Sequence, residues 1–271
     1  DYKVVILAID ETKVSRDLQK SFEDGSELRL DDATKIIGCY KALAKVGFDN
    51  NNHSPIKRAL AFSQNIEISK IFESEFKNVI KDYTYKNKNE KIELNIDVKH
   101  IDGTFNADRR TEHLNWLKEE IPDDQCRILS NVRCLSEGVD VPSLDAIMFL
   151  HPKKSQVDVV QSVGRVMRKA EGKDIGYVVI PVTIAPGVTP ERALDNNEKY
   201  SVVWQILNAL RAHDERLDST INKIKLGEDV SDKIDIINYN DELESLTAEI
   251  DDIKTSAKVV SDTDDNIINI E

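Results

Sequence analysis

The chain has 271 residues, 40% of them hydrophobic and 32% charged, enough for one large domain or a medium domain with an appendage. No run approaches the roughly 18 consecutive apolar residues of a membrane span, and no basic segment followed by an apolar one opens the chain as a secretory leader would. The net charge of −13 is uneven: residues 226–271 hold 14 acids and 3 bases, a net of −11, which leaves −2 on residues 1–225, so a local basic face for nucleic acid stays open.

Three cysteines, Cys39, Cys126 and Cys134, are an odd number without metal-site spacing, which predicts a reduced, cytoplasmic setting. The first residue is Asp1 rather than Met, which predicts a piece of a longer protein or a processed product.

In chain order, Val4–Ile9 reads as a short β-branched strand and residues 10–30 as a polar connection. Asp10-Glu11 after that strand is expected to be a solvated strand end. Residues 31–46 place Ile36, Ile37, Tyr40, Leu43 and Ala44 at helical spacing with acids in the first turn. A strand–helix rhythm follows: strands at 58–62, 94–101, 126–130, 146–150 and 176–182, and helices from after Ser63 through about Ile80, at 106–118 and at 155–169. Thr104 or Asn106 caps the second of these helices. Such alternation predicts a mostly parallel sheet with helices on both faces. Residues 191–225 carry apolar residues at three- and four-residue spacing and read as a helical extension. Residues 243–253 could form a further helix, and the acidic end is expected to be weakly ordered.

The most informative segment is Gln161-Ser-Val-Gly164-Arg165-Val-Met-Arg168. On a helix, Gln161, Arg165 and Arg168 share one face, and Gly164 would let another backbone approach. Two guanidiniums together suit phosphate oxygens, although an isolated pair three residues apart is more often a solvated surface. Upstream, Leu129-Ser130-Asn131 ends a strand, and Gly138-Val139-Asp140 follows before the next one. Hydroxyls and amides at the carboxyl ends of parallel strands lie where open α/β sheets bind ligands. Alone, the Gly138–Asp140 segment would be read as a turn. His100, His113, His151 and His213 are too scattered for a metal site. Trp116 and Trp204 read as packing residues. Lys153, Lys154, Arg109 and Arg110 are equally compatible with phosphate attraction and with plain solvation.

Taken together, these segments resemble the second RecA-like domain of superfamily 2 helicases and translocases. Residues 127–145 are similar to its motif V, Gln161–Arg168 to motif VI, Leu60–Ser63 to motif IV, and His100–Gly103 to the strand end that follows. The extended stretch from Asn131 to Pro142, and residues 203–214, resemble the helicase part of restriction-modification enzymes. The resemblance implies a division into residues 1–50, bridging from a first motor domain; 51–188, the RecA-like domain; and 189–271, a helical coupling region with an acidic tail. It implies that ATP with Mg2+ is held mainly by that first domain. No phosphate loop ending in Gly-Lys-Ser/Thr occurs here, and no metal ligand is assigned.

Arg165, Arg168 and Gln161 are then expected to face the terminal phosphates, with Gly138, Asp140 and Gly164 at the nucleotide. Ser63, Gly103, Ser130 and Asn131 would hold the backbone of DNA, with duplex expected. Other modules of the parent protein are the remaining partners, and no membrane is involved. Two alternatives stay open: a degenerate binding scaffold, and a motor acting on RNA.

Overall fold

A computed structural model describes residues 1–10, 12, 14, 29–48, 54–88, 90, 92–132, 144–151, 155–168, 173, 175–184, 201–225 and 233–239. Within these, seven strands form one sheet: β1 (Tyr2–Asp10), β2 (Arg58–Phe62), β3 (Asn95–Ile101), β4 (Gln125–Asn131), β5 (Ala146–Phe149), β6 (Gly176–Ile184) and β7 (Ile234–Asn238). Their spatial order is β3-β4-β2-β5-β6-β1-β7, and all six pairings are parallel. The expected α/β, RecA-like architecture is therefore present.

Six helices cover the sheet: α1 (Leu30–Leu43), α2 (Ile66–Lys86), α3 (Ala107–Lys118), α4 (Gln156–Val166), α5 (Ser201–Arg211) and α6 (Glu215–Lys225). Alternate residues of β1 go to opposite faces, as the two-residue period of a strand requires. Val4, Ile6 and Ala8 pack with residues of α4, α5 and α6, whereas Val5, Leu7 and Ile9 pack with α1 and α2. Burial from both sides explains why central strands read as unbroken apolar runs.

Residues 1–50, expected as a bridge, supply the interior strand β1 and helix α1. Strand β1 lies between β6 and β7, in register from Tyr2 opposite Gly176 to Asp10 opposite Ile184. Asp10 is accordingly not a solvated strand end. It is 8% exposed, and its carboxylate accepts from the Thr12 amide at 2.7 Å.

The extension also differs from a purely helical one. After α5 and α6 the chain returns to the sheet as β7. This strand is anchored by a Lys3–Asp235 ion pair of 2.7 Å between side chains that are 10% and 8% exposed. Tyr239 closes the connection: its hydroxyl donates to the Val46 carbonyl at 3.1 Å, and the Lys41 ammonium sits 4.5 Å from its ring centre. The expected helix at 243–253 and the acidic end lie outside the described residues.

Cys39 and Cys126 are buried and unbridged. Burial pushes the Cys39 thiol up to about 12 and raises that of Cys126 as well, so both behave as inert packing groups. Cys134 lies outside the described residues.

Candidate nucleotide and nucleic-acid sites

The sequence-predicted residues divide between the two ends of the sheet. Helix α4 begins at the carboxyl end of β5 and runs back toward the strand starts. Ser155 caps its first turn, accepting from the Asp158 amide at 3.3 Å. Its last turn is held by Lys173, whose ammonium donates to the carbonyls of Val166 and Leu144 and to that of Arg168 at 3.3 Å. A cation at a helix C-terminus satisfies carbonyls that have no intrahelical partner. Burial lowers the Lys173 pKa. Lys173 thus fastens the helix carrying the two arginines.

Gly176, the first residue of β6, completes this fastening. A Cβ there would overlap the Val166 side chain and come within 2.5 Å of its carbonyl oxygen. The helix end therefore rests directly on the strand start.

Helix α4 stops at Val166, three residues before the expected end, so Arg168 lies just past it. Gln161 and Gly164 are exposed on the helix. Arg165 is 8% exposed, and burial, followed by the neighbouring Arg168 cation, lowers its guanidinium pKa. A guanidinium so lowered is still charged near neutrality. A Cβ on Gly164 would meet no atom within 4 Å. Nothing within the described chain uses the space that this glycine leaves. Val157 and Met167 are also exposed, at 63% and 45%, so α4 presents a mixed apolar and cationic face.

The second group lies at the carboxyl ends of β2, β3 and β4, where strand ends are joined by buried hydrogen bonds. The Ser63 amide donates to the Asn131 carbonyl at 2.9 Å. Ser130 Oγ is 3.4 Å from Ser63 Oγ and 2.7 Å from Oγ of Ser69 on α2. Ser69 Oγ in turn meets His100 Nδ1 at 2.7 Å, and His100 Nε2 faces Asp102 Oδ2 at 2.8 Å. Asp102 Oδ1 accepts from the Thr104 amide at 2.7 Å and the Thr104 hydroxyl at 2.5 Å. Burial alone would raise the Asp102 pKa, but the Thr104 hydroxyl, His100 and the Thr104 amide outweigh it and hold the carboxyl at about 2.

Ser63, Ser130 and Asn131 are thus brought together, but inside the protein: Ser63 is 4% exposed and the other two 0%. The Asn131 amide donates to the Ala61 carbonyl at 3.3 Å. Gly103 is exposed in the turn after β3, and its carbonyl accepts from Arg110 at 2.7 Å. Asn106, rather than Thr104, caps α3. The involvement of Ser69 on α2 is not legible in the sequence. A serine on a buried helix face carries no signal until the strand end beneath it is known.

Beside this network, Arg109 lies 3.9 Å from the centre of the Phe105 ring. An open groove of about 550 Å³ runs between α2 and α3, with Lys70, Glu73, Phe105 and Arg109 in its walls. Trp116 is half-buried, with Lys99 and Arg127 over its ring at 4.7 and 5.2 Å, in keeping with a packing role. Gly138 and Asp140, expected at the nucleotide sugar, and Lys153 and Lys154 lie outside the described residues. Among the described residues no group of three His, Cys, Asp or Glu side chains could hold a metal ion, and no helix is long and apolar enough to cross a membrane.

Residues 38–170 match the helicase conserved C-terminal domain family. A solved ATP-dependent Type ISP restriction-modification enzyme bound to DNA, LlaBIII, is 42% identical, with a TM-score of 0.75, over 88% of this chain and 15% of that one. UvrABC system protein B of Enterococcus faecalis is 31% identical over 123 residues, covering 43% of this chain and 17% of that protein. A protein of African swine fever virus named "Probable helicase" is 34% identical over 89 residues, 33% of this chain and 10% of the viral protein. The chain spans less than a fifth of each of these relatives.

Proposed function

We propose that this chain, which carries the C-terminal RecA-like domain of a superfamily 2 helicase similar to that of a Type ISP restriction-modification enzyme, is the second motor domain of an ATP-dependent DNA translocase of the restriction-modification type. The observation that carries this reading is the pair of adjacent guanidiniums, Arg165 and Arg168, fixed at the end of α4 by Lys173 and Gly176. Two neighbouring cations beside an exposed apolar surface suit a polyanion brought by another domain.

In this mechanism a first RecA-like domain holds ATP. Closure of the two domains brings Arg165 and Arg168 onto the terminal phosphates, where they stabilise charge developing on the transferred phosphoryl group. Gln161 lies one turn earlier on the same helix and orients the attacking water or the phosphate. Gly164, with open space before it, admits the facing backbone. Gly138 and Asp140 contribute contacts to the nucleotide sugar. Mg2+ would supply charge neutralisation at the phosphates, and no residue of this chain is assigned to hold it.

The strand ends carrying Ser63, Gly103, Ser130 and Asn131 hold the DNA backbone. Helix α4, 11 residues and so roughly 16 Å long, runs from the carboxyl end of β5 back to the strand starts where Arg165 lies. Nucleotide and nucleic acid thus occupy opposite ends of one rigid sheet, and closure driven at one end displaces the other. DNA is preferred to RNA because the 42% identical relative is described as bound to DNA.

This chain alone should show negligible ATP hydrolysis, because it lacks a phosphate loop. In the complete protein, Arg168→Ala should abolish DNA-stimulated ATPase while leaving the melting temperature almost unchanged. Robust hydrolysis by the 271-residue chain on its own would sink the proposal. Equal stimulation of the complete protein by RNA and by duplex DNA would remove the assignment to DNA.

A further inference from the structure

Four candidate nucleic-acid contacts were expected at the strand ends, but their burial shows that they are not equivalent. Asp102 is an ionised carboxylate and can only accept hydrogen bonds. His100 Nε2, at 2.8 Å from it, must therefore carry a hydrogen. If the ring is neutral, Nδ1 accepts, so Ser69 donates to His100 and Ser130 donates to Ser69 across 2.7 Å. If the ring is charged, Nδ1 donates to Ser69, Ser69 donates to Ser130, and Ser130 can donate to Ser63.

In both cases the hydroxyl protons of Ser69 and Ser130 are engaged within the chain of bonds. The Ser63 hydroxyl is joined to Ser130 only by a long 3.4 Å contact, and of the three serines Ser63 alone keeps accessible surface, 4% against 0% for Ser69 and Ser130. The Asn131 amide is already directed at the Ala61 carbonyl. Its side-chain oxygen, a buried atom with no hydrogen-bond partner among the described residues, is an acceptor and would repel a phosphate.

We propose that Ser63 is the outlet of this relay and donates its hydroxyl to a phosphodiester oxygen of DNA, with Ser130, Ser69, His100 and Asp102 acting as positioning residues behind it. The inference rests on the nucleic-acid reading of these strand ends and refines it from four contacts to one hydroxyl with a defined support. The same relay joins the turn at Gly103–Thr104 to β4 and α2. The exposed turn and the Ser63 hydroxyl are thereby held in a fixed relation, and a rigid pair of contacts positions a backbone better than two independent ones.

A double-mutant cycle between Ser63 and Ser69 tests this, since Ser130 is the hydrogen-bonding group that joins the two hydroxyls. Binding of a fluorescein-labelled duplex DNA to the 271-residue chain is followed by anisotropy at low salt. Ser63→Ala and Ser69→Ala should each weaken binding about fivefold, the size of one neutral hydrogen bond. The double variant should be no weaker than either single one. Ser63→Thr should retain near-normal affinity. The salt dependence of binding should be unchanged in Ser63→Ala, because a hydroxyl displaces no counterion.

Melting temperatures of the same four proteins separate loss of fold from loss of contact. Ser69→Ala is a small change at a helical position and is expected to leave the fold intact. Losses that multiply in the double variant, or wild-type affinity in either single variant, would overturn the relay. Failure of the unsubstituted chain to bind duplex DNA would instead overturn the proposed function, and the inference with it.

Discussion

Single residues in this domain are held by networks whose energies can be read from their partners. Asp102 is the clearest. Its carboxyl is lowered from 3.8 to about 2 in the folded protein, so the unfolded state binds protons more readily as the solution is acidified. The stabilisation is complete above about pH 5 and is lost as pH falls through 4 toward 2, and it amounts to roughly 2 kcal/mol. Acid unfolding followed by circular dichroism should show this loss. Asp102→Asn should be less stable at neutral pH and should lack that part of the acid dependence. An identical acid profile in the variant would show that the Thr104 and His100 bonds do not set the ionisation.

Lys173 makes the complementary case. Its ammonium donates to the Val166 and Arg168 carbonyls at the end of α4 and to the Leu144 carbonyl before β5, and Lys173→Met should cost about 1–3 kcal/mol by leaving carbonyls without a donor. Under the proposed motor function, ATPase activity of the complete protein should fall further than the stability loss explains, because the same bonds fix the helix end before Arg168.

At the scale of elements, helix starts follow local rules and helix placement does not. Asn65, Asn106 and Ser155 each accept from the third amide of the following helix. Replacing any one by Ala should lower stability by about 1 kcal/mol in chemical denaturation. The docking of α4 on β6 depends instead on Gly176. Gly176→Ala would force a methyl group into Val166 and should cost about 1–3 kcal/mol, with a larger fall in ATPase than Gly164→Ala would cause through stability. At Gly164 nothing in the described chain meets an added methyl. Under the proposed function, any effect there should appear in ATPase activity of the complete protein and not in stability.

For the whole molecule, the sheet is closed on one side by a strand contributed from far along the chain. Residues 1–10 and 233–239 meet through β1 and β7 and through the Lys3–Asp235 pair. Asp235→Ala leaves the Lys3 ammonium buried without this carboxylate and should destabilise by about 3–5 kcal/mol, whereas the double replacement Lys3→Met with Asp235→Leu should recover most of that loss. Both are read by chemical denaturation. A chain ended before Ile234 should expose the edge of β1 and self-associate, visible by light scattering. Monomeric behaviour and unchanged melting in that shortened chain would show that β7 is an ornament of the sheet rather than its closing strand.

Much of this arrangement is legible in the amino-acid sequence. The period-2 and period-3.6 patterns locate six strands and the helices between them, and the Gln161–Arg168 segment, read with Ser130–Asp140, identifies the helicase type. These features are local: a strand pattern or helix face is encoded within a dozen residues by which side chains must avoid water. Strand β7 escapes such patterns because a five-residue apolar segment in an acidic stretch gains its meaning only from β1, at the other end of the described chain. The Ser69–His100–Asp102 relay escapes them for the same reason, since α2, β3 and β4 bring its members together through crossovers. The burial of Ser130 and Asn131, two residues expected at the surface of a binding site, likewise depends on layers packed above and below them. The chemistry available to the chain is written in its residue types and spacing. Which groups face outward, and which are locked behind them, is decided only when distant segments stack into one sheet.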